Sequence, residues 1–369
     1  MTSPETAHAV NALNQLLKRV IDLNASDLHL SEGCAPYIRV DEALQPLGGE
    51  WAAGVSDMAF AIINERQKRI YEEVRTLDFA HSLGETRFRV NLYQERGQMA
   101  VAIRRIGNEF RTLADWHLPA SLGDLADLRD GLVIMTGPTG SGKTTTLATL
   151  IHEINLNREC HIVTVEDPVE YVHGNVRSLV HQRELYTDVP DFASAVRASL
   201  REDPDVILVG EMRDVETARA AVTAAETGHL VFSTLHTGDT VGAIDRLLGI
   251  FSGAERDAVA HQISLVLRAV VAQRLLPSAQ GRTRVPAVEI LRVTKAVAHL
   301  VRVGKFEQIY SAIETGRAQG MQSFEQSLAA LVERGLVTEA NAFSATRDPS
   351  LFQEWLGNSS PTTRGVTSP

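Results

Sequence analysis

The sequence has little cysteine, few aromatic residues and no long apolar run. Its two cysteines, Cys34 and Cys160, show no metal-ligand spacing and are too few for a disulfide framework. Without an uninterrupted apolar run of about 18 residues, we expect no transmembrane segment. The opening residues, MTSPETAHAV, lack the basic and apolar regions of a secretory signal. Together these absences predict a cytoplasmic protein.

Basic residues are the minority among the charged ones. The chain has 36 Lys and Arg residues against 46 Asp and Glu residues, a formal net charge of −10. Proteins that coat nucleic acid neutralise phosphates with excess Lys and Arg, so we expect no nucleic-acid partner. Hydrophobic residues make up 44% of the chain, which is enough to bury the cores of two ordinary domains.

Residues 1–106 are predicted to form a small α+β domain. Helical patterns cover 7–23 and 51–75, and alternating strand patterns cover 27–32, 36–41 and the hairpin 85–106. The stretch that follows has weak periodicity, and we assign 107–120 as a linker.

A different pattern begins at Gly131, where apolar runs alternate with helical segments. The apolar runs cover 131–136, 161–166, 206–211 and 230–235. Continuous apolar strands between helices indicate a parallel sheet covered on both faces. The residues from about 240 to 355 are interpreted as mostly helical, so 121–356 is the predicted second domain. The polar stretch 357–369 is predicted to be a disordered tail.

The segment GPTGSGKT, residues 137–144, follows the first of these strands and opens a helix. It fits the phosphate-binding pattern G-x-x-x-x-G-K-[ST], in which glycines let backbone N–H groups converge on phosphates. Lys143 would reach the β- and γ-phosphates of ATP, and the Thr144 hydroxyl would bind Mg²⁺. The candidate nucleotide-binding residues are Gly137, Pro138, Thr139, Gly140, Ser141, Gly142, Lys143, Thr144 and Thr145.

Two apolar strands end in acidic residues that have catalytic potential. Glu211 follows VILVG and could position a water for attack on the γ-phosphate. A preceding Asp is usual in this pattern, but Gly210 stands there, so another carboxylate must help to hold the metal. Glu166 and Asp167 end the strand IVTVE, and Glu166 is the candidate. Thr144, Glu166 and Glu211 are the predicted Mg²⁺ ligands.

Histidines and arginines supply weaker candidates. His229 and His236 flank the apolar strand 230–235, and Arg197 and Arg201 share one helix face. An arginine from a neighbouring subunit can stabilise transition-state charge. From the residues alone, structural roles stay open for all four.

Four ordered motifs resemble those of the secretion ATPases. GPTGSGKTTT, IVTVEDPVEY, LREDPDVILVGEMRD and AAETGHLVFSTLHT are similar to that family's Walker A, Asp box, Walker B and His box. ASDLHLSEG, RFRVN, IYSAIETG and GMQSFEQSL extend the resemblance over nearly the whole chain. Within the superfamily, the sequence is most similar to the type IV pilus retraction ATPases.

The resemblance implies a PAS-like first domain, a RecA-like core with a helical C-terminal part, and a homohexamer that binds ATP and Mg²⁺ between the domains. Arg89 and Arg104 match small-domain arginines that approach the phosphates, and Arg197 and Arg201 match arginines at the subunit boundary. Glu211 matches the catalytic glutamate, and His229 and His236 match the His box pair. The implied place is the cytoplasmic face of the inner membrane, against a pilus platform protein, with an accessory retraction ATPase as a further partner.

One departure from the retraction pattern leaves alternatives open. Retraction ATPases carry a stretch close to AIRNLIRE, whereas this chain has AVAHLVRV at 296–303. Arg302 is kept, but Ala298, His299 and Val303 stand where that pattern has Arg, Asn and Glu. Extension and type II secretion ATPases share the four motifs but usually carry a four-cysteine zinc site. A non-hydrolysing ring subunit is a further alternative, against which the intact Lys143, Thr144 and Glu211 argue.

Overall fold

The structure is a computed structural model that describes residues 4–41, 43–48, 53–107, 109–281 and 283–359. Backbone contacts divide it into two compact units. Unit 1 contains residues 1–109, 163–174 and 180–195, and unit 2 contains 110–162, 175–179 and 196–369. None of the described helices is long and apolar enough to cross a membrane.

The described residues up to Gly107 form three helices and six strands. They are α1 (Pro4–Asp22), β1 (Asp27–Ser31), β2 (Tyr37–Val40), β3 (Ala43–Pro46), α2 (Val55–Phe60), α3 (Glu65–Val74), β4 (Thr76–Leu83), β5 (Thr86–Glu95) and β6 (Gln98–Ile106). The strands pair in the order β3-β2-β1-β6-β5-β4, and the strand pairings described are antiparallel. The strand patterns in the sequence did not predict β3 and β4.

The core of unit 1 lies between α1 and this sheet. Leu13, Leu16, Leu17 and Val20 recur every three or four residues along α1, so they share one face, and all are buried. Alternate residues of β5, among them Phe88, point into the same core. This small α+β unit contains the predicted first helix, as α1, and the predicted hairpin, as β5 and β6.

The rest of the chain begins with a short 3₁₀ turn at Ala120–Leu125 and continues as alternating strands and helices. They are β7 (Gly131–Thr136), α4 (Lys143–Asn157), β8 (His161–Glu166), β9 (Leu179–Glu184), α5 (Phe192–Ser199), β10 (Val206–Val209), α6 (Val215–Glu226), β11 (Leu230–Thr234), α7 (Thr240–Gly249) and α8 (Arg256–Val266). After them come β12 (Leu267–Pro277), β13 (Arg284–Arg292), α9 (Lys295–Arg302), α10 (Glu307–Thr315), a 3₁₀ turn (Arg317–Gln319), α11 (Phe324–Glu333), α12 (Glu339–Ala345) and α13 (Pro349–Ser359).

The strands of unit 2 follow the order β13-β12-β7-β11-β10. β7 pairs in parallel with β11 and β12, and β12 pairs antiparallel with β13. Every residue of β7 is buried, as expected for a strand with helices on both faces. The predicted parallel α/β architecture is therefore present, and parallel strands bring the segments after β7, β10 and β11 to one edge.

Three parts of the predicted organisation differ from the structure. The region 240–355, predicted to be mostly helical, also contains the strands β12 and β13. Their apolar residues follow one another without the spacing that distinguishes a strand from a buried helix. α13 continues to Ser359, past the predicted start of the tail at 357, and residues 360–369 lie outside the described range.

The third difference concerns the domain boundary. The segments 163–174 and 180–195 cluster with the N-terminal residues and not with the predicted second domain. The physical reason is a set of contacts with Arg87 on β5. Its Nη2 donates to Glu184 Oε2 at 2.6 Å, and its Nε donates to the carbonyl of Val169 at 2.6 Å.

Candidate active site

The loop between β7 and α4 has the backbone of a phosphate-binding loop. Gly137, Gly140 and Gly142 all have positive φ, at 145°, 76° and 84°. A Cβ at Gly137 would overlap the carbonyl oxygen of Gln273, and one at Gly142 would lie 2.9 Å from the Gln273 side chain. Gly137 and Gly142 therefore require glycine, and α4 begins directly after the loop, so that the positive end of its dipole lies beside any anion bound there.

Two side chains of the loop fit a polyphosphate ligand. Lys143 is buried, and its Nζ donates to the carbonyls of Gly137 at 2.7 Å and Pro138 at 3.1 Å. Burial lowers the pKa of Lys143, while the charge of Glu211 acts in the opposite direction. The buried Ser141 hydroxyl has no hydrogen-bond partner within the described part of the chain. A phosphate would supply an acceptor for both groups.

A residue that the sequence did not reveal, Gln273, supports this loop from β12. Its side chain donates to the Ser141 carbonyl at 2.8 Å and accepts from the Thr146 hydroxyl at 2.8 Å. Gln273 is 2% exposed, and its neighbour Ala272 pairs with Thr136. No motif in the sequence marks it, because its importance comes from the pairing of distant strands.

Glu211 lies two residues beyond β10, at the edge that also carries the phosphate loop. Its Oε2 lies 2.7 Å from Nε of Arg213 and 3.4 Å from Nε2 of His236. The Thr234 hydroxyl donates to the carbonyl of Gly210 at 2.6 Å, which joins the segment after β10 to the end of β11. The structure thus brings together two of the predicted site residues, Glu211 and His236.

The loop that carries His236 is also tied to β7. The Thr237 N–H donates to the Thr136 hydroxyl at 2.9 Å, and the two hydroxyls lie 2.7 Å apart. Thr136 is fully buried and immediately precedes Gly137. The phosphate loop and the His236 loop are therefore held in register by one pair of threonines.

His229 lies at the other end of β11, and the structure does not bring it to this edge. A strand of five residues spans about 17 Å, because each residue rises about 3.3 Å. The His229 Nδ1 lies 2.9 Å from the carbonyl of Ala224 and 3.0 Å from the Thr227 hydroxyl, at the C-terminus of α6. Within this unit His229 lies at a helix end away from the phosphate loop, and its predicted catalytic role stays a prediction.

Glu166 ends β8 and is a buried carboxyl group. Its Oε1 accepts hydrogen bonds from the Thr164 hydroxyl at 2.6 Å and the Gln182 amide at 3.1 Å. Burial raises the pKa of Glu166 to about 7, against the effect of these two donors. The nearby Glu170 also has a raised pKa because of burial. A buried carboxyl group of this kind can exchange its proton near neutral pH, and its role toward the metal stays a prediction.

The candidate arginines have ion-pair partners or exposed positions. Arg89 pairs with Asp78 at 3.0 Å and Glu170 at 3.5 Å, which raises its pKa, and Arg104 pairs with Asp27 at 2.8 Å. Arg197 lies 3.3 Å from Glu216 on the surface, and Arg201 is exposed. Their predicted contacts with phosphates and with a neighbouring subunit remain predictions.

No cluster of three or more His, Cys, Asp or Glu side chains in the described ranges is arranged to hold a metal ion. A P-loop binds Mg²⁺ differently, through one hydroxyl and the phosphates of the nucleotide. The exposed Thr144 hydroxyl at the start of α4 is of the kind that this arrangement needs.

The parallel sheet, the glycine loop and the adjoining carboxylate define a P-loop nucleotide-binding protein. Comparison with known families narrows this class, because the model of the type II/IV secretion system proteins matches residues 79–344. The chain belongs to that family.

Three similar proteins extend over most of the chain. It is 41% identical over 346 residues to a protein from Pseudomonas aeruginosa named type IV pilus retractation ATPase PilT, covering 92% of this chain and 99% of that one. It is 43% identical to a twitching motility protein of Neisseria gonorrhoeae, with 82% of each chain covered. The crystal structure of the pilus retraction motor PilT with bound ADP matches with a TM-score of 0.83 and 39% identity, over 93% and 99% of the two chains.

These relatives indicate an ATPase and bear out the expected RecA-like secretion ATPase fold with helical parts. They also indicate nucleotide binding, since the matched crystal structure has ADP bound.

Proposed function

We propose that this chain is an ATP-hydrolysing motor that powers type IV pilus retraction. The observation that carries the proposal is the continuous similarity to a named retraction ATPase over 92% of this chain and 99% of the relative. The intact phosphate loop supports hydrolysis, and the juxtaposition of Glu211 and His236 beside it supports a water-activating role for Glu211. The proposed overall reaction converts ATP and water to ADP and phosphate.

In this proposal each residue of the site has a defined role. Lys143 would exchange its carbonyl partners for the β- and γ-phosphates, and Thr144 would hold Mg²⁺, with Glu166 and Glu211 as further candidate ligands. When bound, Mg²⁺ neutralises charge that develops on the phosphates. Glu211 orients the attacking water and accepts its proton, and His236 fixes the Glu211 carboxylate. Arg197 and Arg201 act on a neighbouring subunit.

The proposed assembly is a homohexamer at the inner face of the cytoplasmic membrane. It would act on an inner-membrane pilus platform protein, with an accessory retraction ATPase as a second partner. Closure and reopening of subunits during the ATP cycle would pass rigid-body motion to the platform.

The first test is phosphate release from ATP by the purified protein as a function of its concentration, with Glu211→Gln as the control. We expect turnover per subunit to rise with concentration in the wild type and to vanish in the variant, which should still bind ATP. Near-normal turnover in Glu211→Gln would contradict the role of Glu211. Absence of turnover in both proteins would favour a nucleotide-binding accessory subunit.

Deletion of the gene then tests whether the motor retracts or extends pili. A retraction motor predicts cells that keep surface pili but lose twitching. Loss of pili would instead support an extension ATPase. Unchanged pili and motility would support an accessory role, for which the altered AVAHLVRV stretch is the motivating observation.

A further inference from the structure

The loop that carries His236 is held from the C-terminal part of the chain by Arg347. This arginine lies between α12 and α13, more than 100 residues away in sequence. Its Nη2 donates to the carbonyl of Gly238 at 2.6 Å, and its Nη1 donates to Glu289 Oε2 at 2.9 Å. One guanidinium therefore bridges a backbone carbonyl two residues after His236 and a buried carboxylate.

Glu289 continues the connection to the other side of the loop. It lies on β13, is 3% exposed, and its Oε1 accepts from the N–H of Thr240 at 2.8 Å and from the Thr240 hydroxyl at 2.7 Å. Thr240 is the first residue of α7 and is itself buried. Arg347 and Glu289 together hold both ends of the segment 238–240.

The Arg347 side chain is fixed by its own surroundings. Its guanidinium carbon lies 5.2 Å from the centre of the Phe324 ring, and its backbone N–H donates to Glu325 Oε1 at 3.2 Å. Arg274 lies over the same ring at 5.1 Å and donates weakly to the same Gly238 carbonyl at 3.4 Å. α11 and β12 therefore fix the position of the guanidinium groups that contact the Gly238 carbonyl.

The loop has a second anchor on its other side. Thr237 is bonded to Thr136, the residue before the phosphate loop, so His236 lies just before a segment clamped by β7 and by Arg347. We infer that Arg347 is a positioning residue for ATP hydrolysis, which sets the place of His236 against Glu211 and couples the C-terminal helices to the site. This inference rests on the proposed role of Glu211.

The test must not leave a buried charge alone, because that would destabilise the fold whatever the role of Arg347. Glu289→Gln keeps an acceptor for Thr240 and leaves the Arg347 bond to Gly238 intact. Adding Arg347→Met then removes only that bond and the cation over Phe324. Adding Arg347→Lys restores one donor. Arg334→Met, which removes an arginine at the C-terminus of α11 that lies 3.4 Å from the His117 carbonyl, is the matched control.

The measurements are kcat and KM for ATP, ADP affinity, and amide hydrogen exchange of residues 235–240. Glu289→Gln is the reference for the double variants, because it already removes the ion pair with Arg347, and we expect Arg334→Met to behave like wild type. Relative to Glu289→Gln, the Glu289→Gln/Arg347→Met variant should lose kcat roughly tenfold, as expected for a misplaced catalytic group, with KM and ADP affinity nearly unchanged. Exchange at 235–240 should rise, and the Lys variant should recover part of the kcat.

Unchanged kcat in the Met double variant, or equal losses of kcat and ADP affinity, would overturn the inference. If the wild type shows no turnover, the proposed function fails, but hydrogen exchange still tests whether Arg347 positions the segment 235–240. In that case unchanged exchange at 235–240 in the Met double variant would overturn the positioning role.

Discussion

At the scale of single residues, the burial of Glu166 has a consequence for stability. A carboxyl group whose pKa is raised in the folded state binds a proton more tightly there than in the unfolded chain. Folding is therefore disfavoured progressively as the pH rises from the unfolded value, 4.5, through the folded value, about 7. Above that range the unfavourable contribution is constant.

Glu166→Gln should remove this contribution. Its amide oxygen can still accept from Thr164 and Gln182, so little should change near pH 4.5. At pH 8 the variant should be more stable than wild type, by at most roughly 3 kcal/mol. Urea unfolding from pH 4.5 to pH 8, with EDTA and without nucleotide, measures the difference. A stability difference that does not vary with pH would contradict an elevated pKa.

Gln273 gives a second expectation at this scale. Gln273→Leu keeps the volume but leaves the Ser141 carbonyl without its donor and the Thr146 hydroxyl without its acceptor. We expect a loss of about 1–3 kcal/mol in the free energy of unfolding and roughly tenfold weaker ADP binding, because the loop is no longer held. Calorimetry measures both. Gln308→Leu, at an exposed position of α10, is the control and should change neither, whereas unchanged ADP affinity in Gln273→Leu would contradict the supporting role.

The predictability of the site differs from residue to residue. The glycines and Lys143 are recognisable because the loop needs those residue types at fixed spacing, and Glu211 because it follows an apolar strand that ends at the same edge. His236 and His229 are candidates only through the resemblance to a known family, because a lone histidine beside an apolar strand is as compatible with a structural role. The structure places His236 at the edge of the phosphate loop, whereas His229 precedes its strand and lies at the opposite edge. Gln273 and Arg347 carry no local pattern, since their contacts depend on residues more than 100 positions away.

At the scale of secondary-structure elements, α11 shows how local sequence fixes a helix end. Ser323 accepts from the N–H of Gln326 at 3.2 Å, and the Gln326 side chain accepts from the N–H of Ser323 at 2.9 Å. This reciprocal pair is a capping box, which satisfies two donors that a helix start leaves unpaired.

Ser323→Ala should remove one half of the box. We expect the free energy of unfolding to fall by about 1 kcal/mol. Thermal unfolding measures the change. Ser311→Ala, at an exposed position inside α10, should change stability by less than about 0.5 kcal/mol. Equal losses in the two variants would mean that the cap contributes nothing of its own.

Strand prediction succeeded or failed according to the information in each run. β7 and β8 were predicted with their observed ends, because short apolar runs are bounded there by glycine, histidine or acidic residues. β12 was missed because its run of 11 residues is as compatible with a buried helix as with a strand. Its pairing with β7 is a tertiary effect that no local window contains.

At the scale of the whole molecule, the proposed ring makes the activity of one subunit depend on another. Arg197 is exposed and pairs only with Glu216 among the contacts described, a pair worth at most about 1 kcal/mol. Arg197→Ala should therefore keep its melting temperature but lose most of its ATP turnover if the arginine serves a neighbour's nucleotide.

Mixing distinguishes action on a neighbour from action within the subunit. Arg197→Ala combined with Glu211→Gln should recover part of the turnover, because some interfaces then contain both an intact Arg197 and an intact Glu211. Phosphate release over a series of mixing ratios measures this. The absence of recovery at every ratio would count against action in trans. Arg219→Ala, which removes another exposed ion pair, should retain turnover.

The division of the chain into two compact units has a consequence for the family's history and for protein engineering. The polypeptide enters unit 1 again at residue 163, within β8, and leaves it for the last time only near residue 195, so neither unit is one uninterrupted length of sequence. A single recombination event cannot exchange either unit intact, because every junction between the two ends would leave part of one unit behind. Chimaeras of related motors should therefore be built with several matched junctions, and we expect two-piece fusions at residue 109 to break the contacts of Arg87 with Val169 and Glu184 whenever the donor sequences differ there.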